Sequence, residues 1–147
     1  EIISVIEELN VPVVACMTGY TLGSGLELAL GCHWRLATKN AKIGMSEISM
    51  GLIPSGGGTQ RLPRVVGFEK AVNWMVSETQ ISGYEAYQSQ LVDEISNEDN
   101  LNEQQIIDWT SSFLHSDRVR NTPLSSRLIS SKKLSSPSPE TLNNISK

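Results

Sequence analysis

Two stretches of this chain decide its fold and its candidate site: residues 19–30, GYTLGSGLELAL, and residues 44–59, GMSEISMGLIPSGGGT. Each stretch sets one glutamate, Glu27 in the first and Glu47 in the second, among glycine and apolar residues. Burying a lone carboxylate in such surroundings is costly. Because a costly buried acid is usually kept for chemistry, both glutamates are candidate catalytic residues.

The first stretch lies inside a pattern that is typical of an α/β fold. Residues 12–17 are wholly apolar, with two adjacent valines, and predict a buried parallel strand. A glycine-rich turn over residues 19–25 leads into good helix formers, so a helix should begin near Ser24. Residues 34–38 and 42–44 predict two more short strands. Strand, turn, helix and strand in this order indicate an α/β architecture.

The remaining elements are mostly helical. Apolar residues at helical spacing predict helices at residues 2–9, 62–66, 68–76 and 97–115. Thr59 is a plausible cap for the second of these helices. Ser82 and Glu85 have the spacing of a capping box at the start of a further helix. Residues 91–95 read as a strand or a strand-like return.

Composition is that of one ordinary domain. The chain has 147 residues, 39% of them hydrophobic, which is enough for one core. No apolar run approaches the about 18 residues of a membrane span. The first residues are acidic and lack the basic region of a signal peptide. Cys16 and Cys32 fit neither a CxxC motif nor a disulfide framework, which favours a reducing compartment.

Charge is unevenly distributed along the chain. Residues 1–117 hold 15 acids and 6 bases, a net −9, whereas residues 118–147 hold 6 bases and one acid, a net +5. A basic tail attracts polyanions such as a nucleic acid or a phosphorylated cofactor. A solvated helix face and linker is the interpretation that we favour. The tail lacks interleaved aromatic residues, so we expect no nucleic-acid partner.

Several motifs can be set aside. The turn around Ser24 lacks the third glycine of a dinucleotide fingerprint and the flanking glycines of a nucleophile elbow. The glycines of residues 56–58 are not followed by the lysine of a P-loop. His33 and its neighbour Cys32 are better explained by packing or surface position than by metal ligation. For Arg61 a structural ion pair and an anion contact are equally good interpretations.

What remains is a turn whose main-chain N–H groups can donate hydrogen bonds, with two glutamates nearby in the sequence. Ser24 and Gly25 lie where a helix begins, so their N–H groups lack intrahelical acceptors and suit a developing oxyanion. Glu27 lies about one turn further along, and Glu47 precedes the second glycine loop. The structural alternative makes Glu27 a buried ion-pair partner and Glu47 a helix-terminus charge. The residues alone leave both interpretations open.

Several segments of this sequence resemble the crotonase, or enoyl-CoA hydratase/isomerase, family. The resemblance is carried by residues 11–15, VPVVA; residues 19–29, GYTLGSGLELA; and residues 51–62, GLIPSGGGTQRL. The segment at residues 51–62 is highly specific to the family. LALGCHWR at residues 28–35 and PLSSR at residues 123–127 are still more similar to the hydratase part of multifunctional fatty-acid β-oxidation enzymes.

The resemblance implies a spiral of ββα units. Residues 1–115 would form the C-terminal portion of the hydratase domain, with its N-terminal half absent, and helices would follow. Residues 116–147 would be a basic helix and a Ser/Pro-rich linker. In the family the missing half supplies a second oxyanion donor, so we expect this chain alone to be inactive.

The resemblance also assigns roles within the site. The Ser24 N–H would bind the thioester oxygen, while Glu27 and Glu47 would activate water and deliver a proton to the double bond. Residues that would contact the substrate are Gly23, Ser24, Ser46, Pro54 and Ser55. Two positions depart from the family pattern, which usually has glycine at the position of Ser24 and proline at that of Ser46.

The expected function is hydration of the trans-2 double bond of fatty enoyl-CoA thioesters in β-oxidation, within a bifunctional hydratase and 3-hydroxyacyl-CoA dehydrogenase. Alternatives are a Δ3-Δ2-enoyl-CoA isomerase, which can manage with one glutamate, and a non-catalytic acyl-CoA-binding module. No cofactor or metal is expected beyond the coenzyme A thioester substrate. Expected partners are further copies of the chain or an attached dehydrogenase part. The expected location is the peroxisome, with the mitochondrion as the alternative.

Overall fold

Two small sheets organise the fold. The computed structural model describes residues 2–140, and it contains the strands β1 (Val14–Met17), β2 (Tyr20–Leu22), β3 (Trp34–Thr38), β4 (Lys42–Gly44), β5 (Ile81–Ser82) and β6 (Glu94–Ser96). One sheet has the order β1-β3-β6, with all neighbours parallel. The other has the order β2-β4-β5, in which β2 and β4 are parallel and β5 is antiparallel.

Helices follow pairs of strands. They are α1 (Ile2–Glu7), α2 (Ser24–Gly31), α3 (Gly58–Val66), α4 (Phe68–Val76), α5 (Gly83–Gln88), α6 (Glu103–Leu114) and α7 (Asp117–Arg120). Short 3-10 turns occur at Glu47–Met50, Leu124–Arg127 and Ile129–Ser131. Strands β1 and β2 belong to different sheets and are followed by α2; β3 and β4 repeat this change of sheet. The repeat is a ββα unit, as the sequence predicts.

Several predicted elements are confirmed at their predicted bounds. These are β3, β4, α4 and the start of α2 at Ser24. The capping box is also present, because Ser82 Oγ accepts from the Glu85 N–H and the Glu85 carboxylate accepts from the Ser82 N–H. These segments have a strong local signal, either an apolar run between turns or a cap with fixed spacing.

The prediction that the first strand is buried is wrong for most of its length. Only Met17 of β1 is buried, whereas every residue of β3 is. The reason is position within the sheet: β3 lies between two strands, and β1 is the edge of the sheet that the described residues form.

Four further features differ from prediction. The glycine-rich turn contains strand β2, because its residues pair with β4. Thr59 does not cap α3; Gly57, at φ 101°, is the N-cap, and no side chain caps this end. The strand predicted at residues 91–95 begins later, at Glu94. The long polar helix is shorter than predicted, since Asn102 caps α6 in a capping box with Gln105.

The core lies between the sheets and α2 to α5. Its fully buried side chains include Leu26, Leu30, Ile43 and Leu62. A second cluster forms where Trp34 meets Phe113 of α6 edge-to-face, with ring centroids 5.4 Å apart. No helix among residues 2–140 is long and apolar enough to cross a membrane.

A buried ion pair joins both ends of the described chain to the core. Glu7 of α1 is 4% exposed, and its Oε2 accepts from Arg61 Nη2 at 2.9 Å and Nε at 3.1 Å. Its Oε1 accepts from the Ser130 N–H at 2.7 Å. Burial by itself raises the pKa of Glu7, but the hydrogen bonds from Ser130 and Arg61 and the charge of Arg61 hold that pKa below its usual value.

Replacing this carboxylate should destabilise the fold in a pH-dependent way. Glu7→Gln leaves Arg61 without its charge partner, and breaking a buried pair costs about 3–5 kcal/mol. Because the folded-state pKa of Glu7 is below its unfolded value, its contribution is complete above about pH 4.3 and is lost as pH falls further. Urea unfolding should show a large loss for Glu7→Gln at pH 7 and a smaller one near pH 3.

The matched control is Glu8→Gln, because Glu8 is the exposed neighbour. It should unfold like the wild type at both pH values. An equal penalty for Glu7→Gln at the two pH values would contradict a contribution that depends on the charge.

Candidate active site

One turn at the start of α2 brings the predicted residues together. Gly23 is the N-cap, at φ 53° and ψ −123°, a left-handed φ that favours glycine. Its N–H donates to the Gly44 carbonyl at the end of β4 (2.9 Å), and its carbonyl accepts from the Glu27 N–H (3.0 Å). Ser24 and Gly25, the first two helical residues, are exposed. Their N–H groups have no intrahelical acceptor and point out of the positive end of the helix dipole.

Glu27 is buried beside the glycine loop. The residue is 3% exposed, and its Oε1 accepts from the Gly58 N–H at 2.8 Å. A methyl group added at Gly56 would lie 2.7 Å from Oε2, and one added at Gly58 would lie 2.9 Å from Oε1. Glu27 forms no ion pair within residues 2–140, so the alternative of a buried ion-pair partner is not supported. The carboxylate is held by a main-chain donor.

Glu47 lies beside the turn at Gly23. It is the first residue of the 3-10 turn Glu47–Met50 and is 9% exposed. A methyl group added at Gly23 would lie 3.2 Å from Glu47 Oε1. Its Oε2 is buried and has no hydrogen-bond partner in the described part of the chain. A buried carboxylate oxygen with an open acceptor site is costly unless a ligand uses it.

The other predicted contact residues divide into two groups. Ser46 is half-buried, and its Oγ would lie 3.4 Å from a methyl group at Gly23, so it belongs to the same turn. Pro54 is buried and Ser55 is exposed in the loop that leads to the glycines. Pro54 lines an apolar cleft of 170 Å³, whose other walls are Ile48, Leu52, Ile53, Thr59, Val72, Met75 and Val76.

Two glycines of the loop at residues 56–58 contact Glu27, a role that the sequence alone does not assign to them. Gly58 supplies the donor to Glu27, and Gly56 leaves room for its second oxygen. The run of three glycines was the available signal, but a run alone does not say which side chain it accommodates. Arg61, for which two interpretations stood open, forms the ion pair with Glu7 and also donates to the Gly56 carbonyl at 3.3 Å.

Metal-ligating residues are dispersed. No group of three His, Cys, Asp or Glu side chains within residues 2–140 is placed to hold a metal ion. Packing and surface position were both open interpretations for His33, and the structure buries it: its Nδ1 accepts from the Val13 N–H at 3.1 Å. Burial lowers the pKa of His33 and raises the pKa values of the Cys16 and Cys32 thiols.

Gly23, Ser24, Ser46 and Glu47 therefore meet at the start of α2, and Glu27 lies one turn further along the helix with its carboxylate against the glycine loop. Two buried carboxylates and a pair of main-chain donors are carried by adjoining segments. Such an arrangement can stabilise an oxyanion while one acid and one base act on the adjacent atoms.

Comparisons with known proteins identify a family. The model of the family described as enoyl-CoA hydratase/isomerase matches residues 1–128. The fatty acid oxidation complex subunit alpha of Shewanella loihica is 45% identical over 97 residues, which are 65% of this chain and 14% of that protein. The peroxisomal bifunctional enzyme of Pongo abelii is 36% identical over 135 residues, 92% of this chain and 18% of that protein.

A solved structure extends the agreement to the fold. Enoyl-CoA hydratase from Bacillus anthracis superimposes with a TM-score of 0.68 at 34% identity, covering 78% of this chain and 44% of that one. The chain thus spans less than half the length of that enzyme and under a fifth of the curated relatives above. The α/β fold built from ββα units is confirmed, and the chain belongs to the enoyl-CoA hydratase/isomerase family.

Proposed function

We propose that this chain carries the acid–base half of an enoyl-CoA hydratase site, acting on trans-2 fatty enoyl-CoA thioesters in β-oxidation. The observation that carries the proposal is that two buried carboxylates adjoin the start of α2: Glu47 lies beside Gly23, and Glu27 lies one turn along the helix against the glycine loop. The relative named as a fatty acid oxidation complex subunit supports the choice of substrate class.

Each group has a defined task in this reaction. One glutamate accepts a proton from water as the hydroxyl oxygen bonds to the β-carbon of the substrate. The electron pair of the double bond shifts toward the thioester, whose oxygen gains negative charge. The Ser24 N–H and the positive end of α2 stabilise that charge. The other glutamate then delivers a proton to the α-carbon, and proton exchange with water restores both carboxyl groups.

Further residues and an apolar cleft contribute to substrate binding in this proposal. Ser46 and Gly23 shape the space beside Glu47, and Ser55 borders the glycine loop. The apolar cleft next to the Glu47 turn, which Pro54 lines, is suited to an acyl chain because its walls are almost entirely hydrocarbon. No cofactor beyond the coenzyme A thioester is part of the proposal.

The wider setting is also a proposal. We place the hydratase within a multifunctional β-oxidation protein, because both relatives above are larger proteins of fatty acid oxidation or bifunctional enzymes. One of them is named peroxisomal and the other is bacterial. We propose the peroxisome for this chain. A fluorescent fusion of the full-length protein should colocalise with a peroxisomal marker, and a mitochondrial signal would overturn the assignment.

Removing either carboxylate charge should abolish most hydration. In the full-length protein, Glu27→Gln and Glu47→Gln should each lower kcat about 10²–10⁴-fold, the usual contribution of a positioned acid or base. Loss of the conjugated-enone absorbance of crotonyl-CoA measures the reaction. Glu103→Gln, at an exposed position on α6, is the matched control and should leave turnover unchanged. Near-normal hydration by either site variant would refute the hydratase, and retained isomerisation of a 3-enoyl-CoA would favour the isomerase.

The role of the Ser24 main chain can be tested separately. Ser24→Ala keeps the N–H and should change turnover little. Ser24→Pro removes the N–H at the first helical position, where proline is tolerated, and should lower kcat about 10²–10³-fold. Circular dichroism checks that both variants fold. A large loss in Ser24→Ala would show that the hydroxyl, and not the main-chain donor, takes part.

A further inference from the structure

A second cavity lies at the opposite end of α2 from Ser24. It has a volume of 510 Å³ and is lined by four cationic side chains, Arg35, Arg118, Arg127 and Lys132, and by one carboxylate, Asp93. Arg35 marks its position, because its guanidinium donates to the carbonyls of Cys32 and Ala29 at the C-terminal end of the helix. At 1.5 Å per residue, α2 separates this end from Ser24 by about 10 Å.

Asp93, the carboxylate that lines this cavity, already forms ion pairs with three arginines. The Asp93 carboxylate accepts from Arg127 Nη2 at 2.6 and 2.8 Å. It also accepts from the main-chain N–H of Arg35 at 2.9 Å. The guanidinium of Arg118 lies 3.4 Å from Asp93 Oδ1, and that of Arg35 lies 3.8 Å from Oδ2. One carboxylate cannot neutralise four cations, so the charged lining residues carry a net +3.

The guanidinium groups are held in place before any ligand arrives. Arg127 lies 3.9 Å above the Trp34 ring and Arg118 lies 5.6 Å from it, so both make cation–π contacts. Arg35 is only 3% exposed, and its Nε donates to the Leu91 carbonyl at 2.8 Å. Most of their N–H groups already donate to protein acceptors, so these arginines offer a fixed positive charge that loses little freedom when an anion binds.

The mutual repulsion of these cations also affects Lys132. Burial lowers the pKa of its ammonium, and the charges of Arg127 and Arg35 lower it further, against the opposing effect of Asp93. Because the surroundings disfavour the charged form of Lys132, the negative charge in this cluster does not balance its positive charge. An anionic ligand would supply that charge and raise the pKa of Lys132.

We propose that this cavity binds a phosphate-bearing small molecule. Its volume falls in the range of about 300–1,000 Å³ that ligand pockets occupy, so it has room for more than an isolated ion, and Tyr87 adds an aromatic ring to its wall. Two sources share the required chemistry: the phosphates of a coenzyme A thioester and a separate phosphorylated metabolite. The first source rests on the proposed function, whereas the second does not, and pyrophosphate binding tests the site independently of hydratase activity.

Titration calorimetry of the full-length protein with pyrophosphate, at constant ionic strength, tests this site. The wild type should bind, and Lys132→Gln and Arg118→Gln should each weaken binding about tenfold, as the loss of one charge-assisted hydrogen bond predicts. Lys133→Gln and Arg120→Gln are matched controls, since they remove the neighbouring cations of the same segments, which do not line the cavity. Lys132→Arg should retain binding.

Enoyl-CoA kinetics then separate the two sources. If the site holds the phosphates of the substrate, Lys132→Gln should raise KM with kcat unchanged; if the ligand is a separate metabolite, KM should stay constant while pyrophosphate binding is lost. Either result supports an anion site. Absence of pyrophosphate binding to the wild type, or equal weakening in the control variants, would overturn it.

Discussion

The turn at Gly23 is the constraint on which the rest of this structure depends. Its N–H fastens the start of α2 to the end of β4, and its carbonyl begins the helix by accepting from the Glu27 N–H. The missing side chain leaves room for the Glu47 carboxylate, which a methyl group would approach to 3.2 Å. One residue therefore joins the two ββα units, starts the helix and leaves space for Glu47 beside the donors at the start of that helix.

Two buried carboxylates require compensation, and the glycine loop of residues 56–58 provides part of it. Gly58 donates to Glu27, and Arg61 ties the loop to Glu7 through the Gly56 carbonyl. Glu7 is neutralised and saturated with hydrogen bonds, whereas Glu47 keeps one oxygen without a partner in the described chain. The fold thus distinguishes a structural acid from an acid that is open to chemistry.

Much of this arrangement could be predicted from the sequence, and the limits have physical causes. The strands at 34–38 and 42–44 and the helix at 68–76 were predictable because their signals are local. Burial of β1 was not, since it depends on which strands flank it in the sheet. The partners of the acids were equally inaccessible, because Glu7 and Arg61 are 54 residues apart and no local pattern pairs them. The favoured view of the basic tail as a solvated face also missed that Arg127 packs on Trp34.

The two ends of α2 show how one short helix supports opposite electrostatic tasks. At its start, the outward N–H groups of Ser24 and Gly25 favour negative charge. At its other end the carbonyls of Ala29 and Cys32 receive the Arg35 guanidinium. Asp93 links Arg35 to Arg118 and Arg127, and Trp34 packs against the latter two arginines. Cations at a helix C-terminus are stabilised by the dipole, so the cluster can carry more positive charge there than an isolated group of arginines could. Anion attraction at the second end therefore comes from side chains that the helix itself helps to hold, and at the first end from its own backbone.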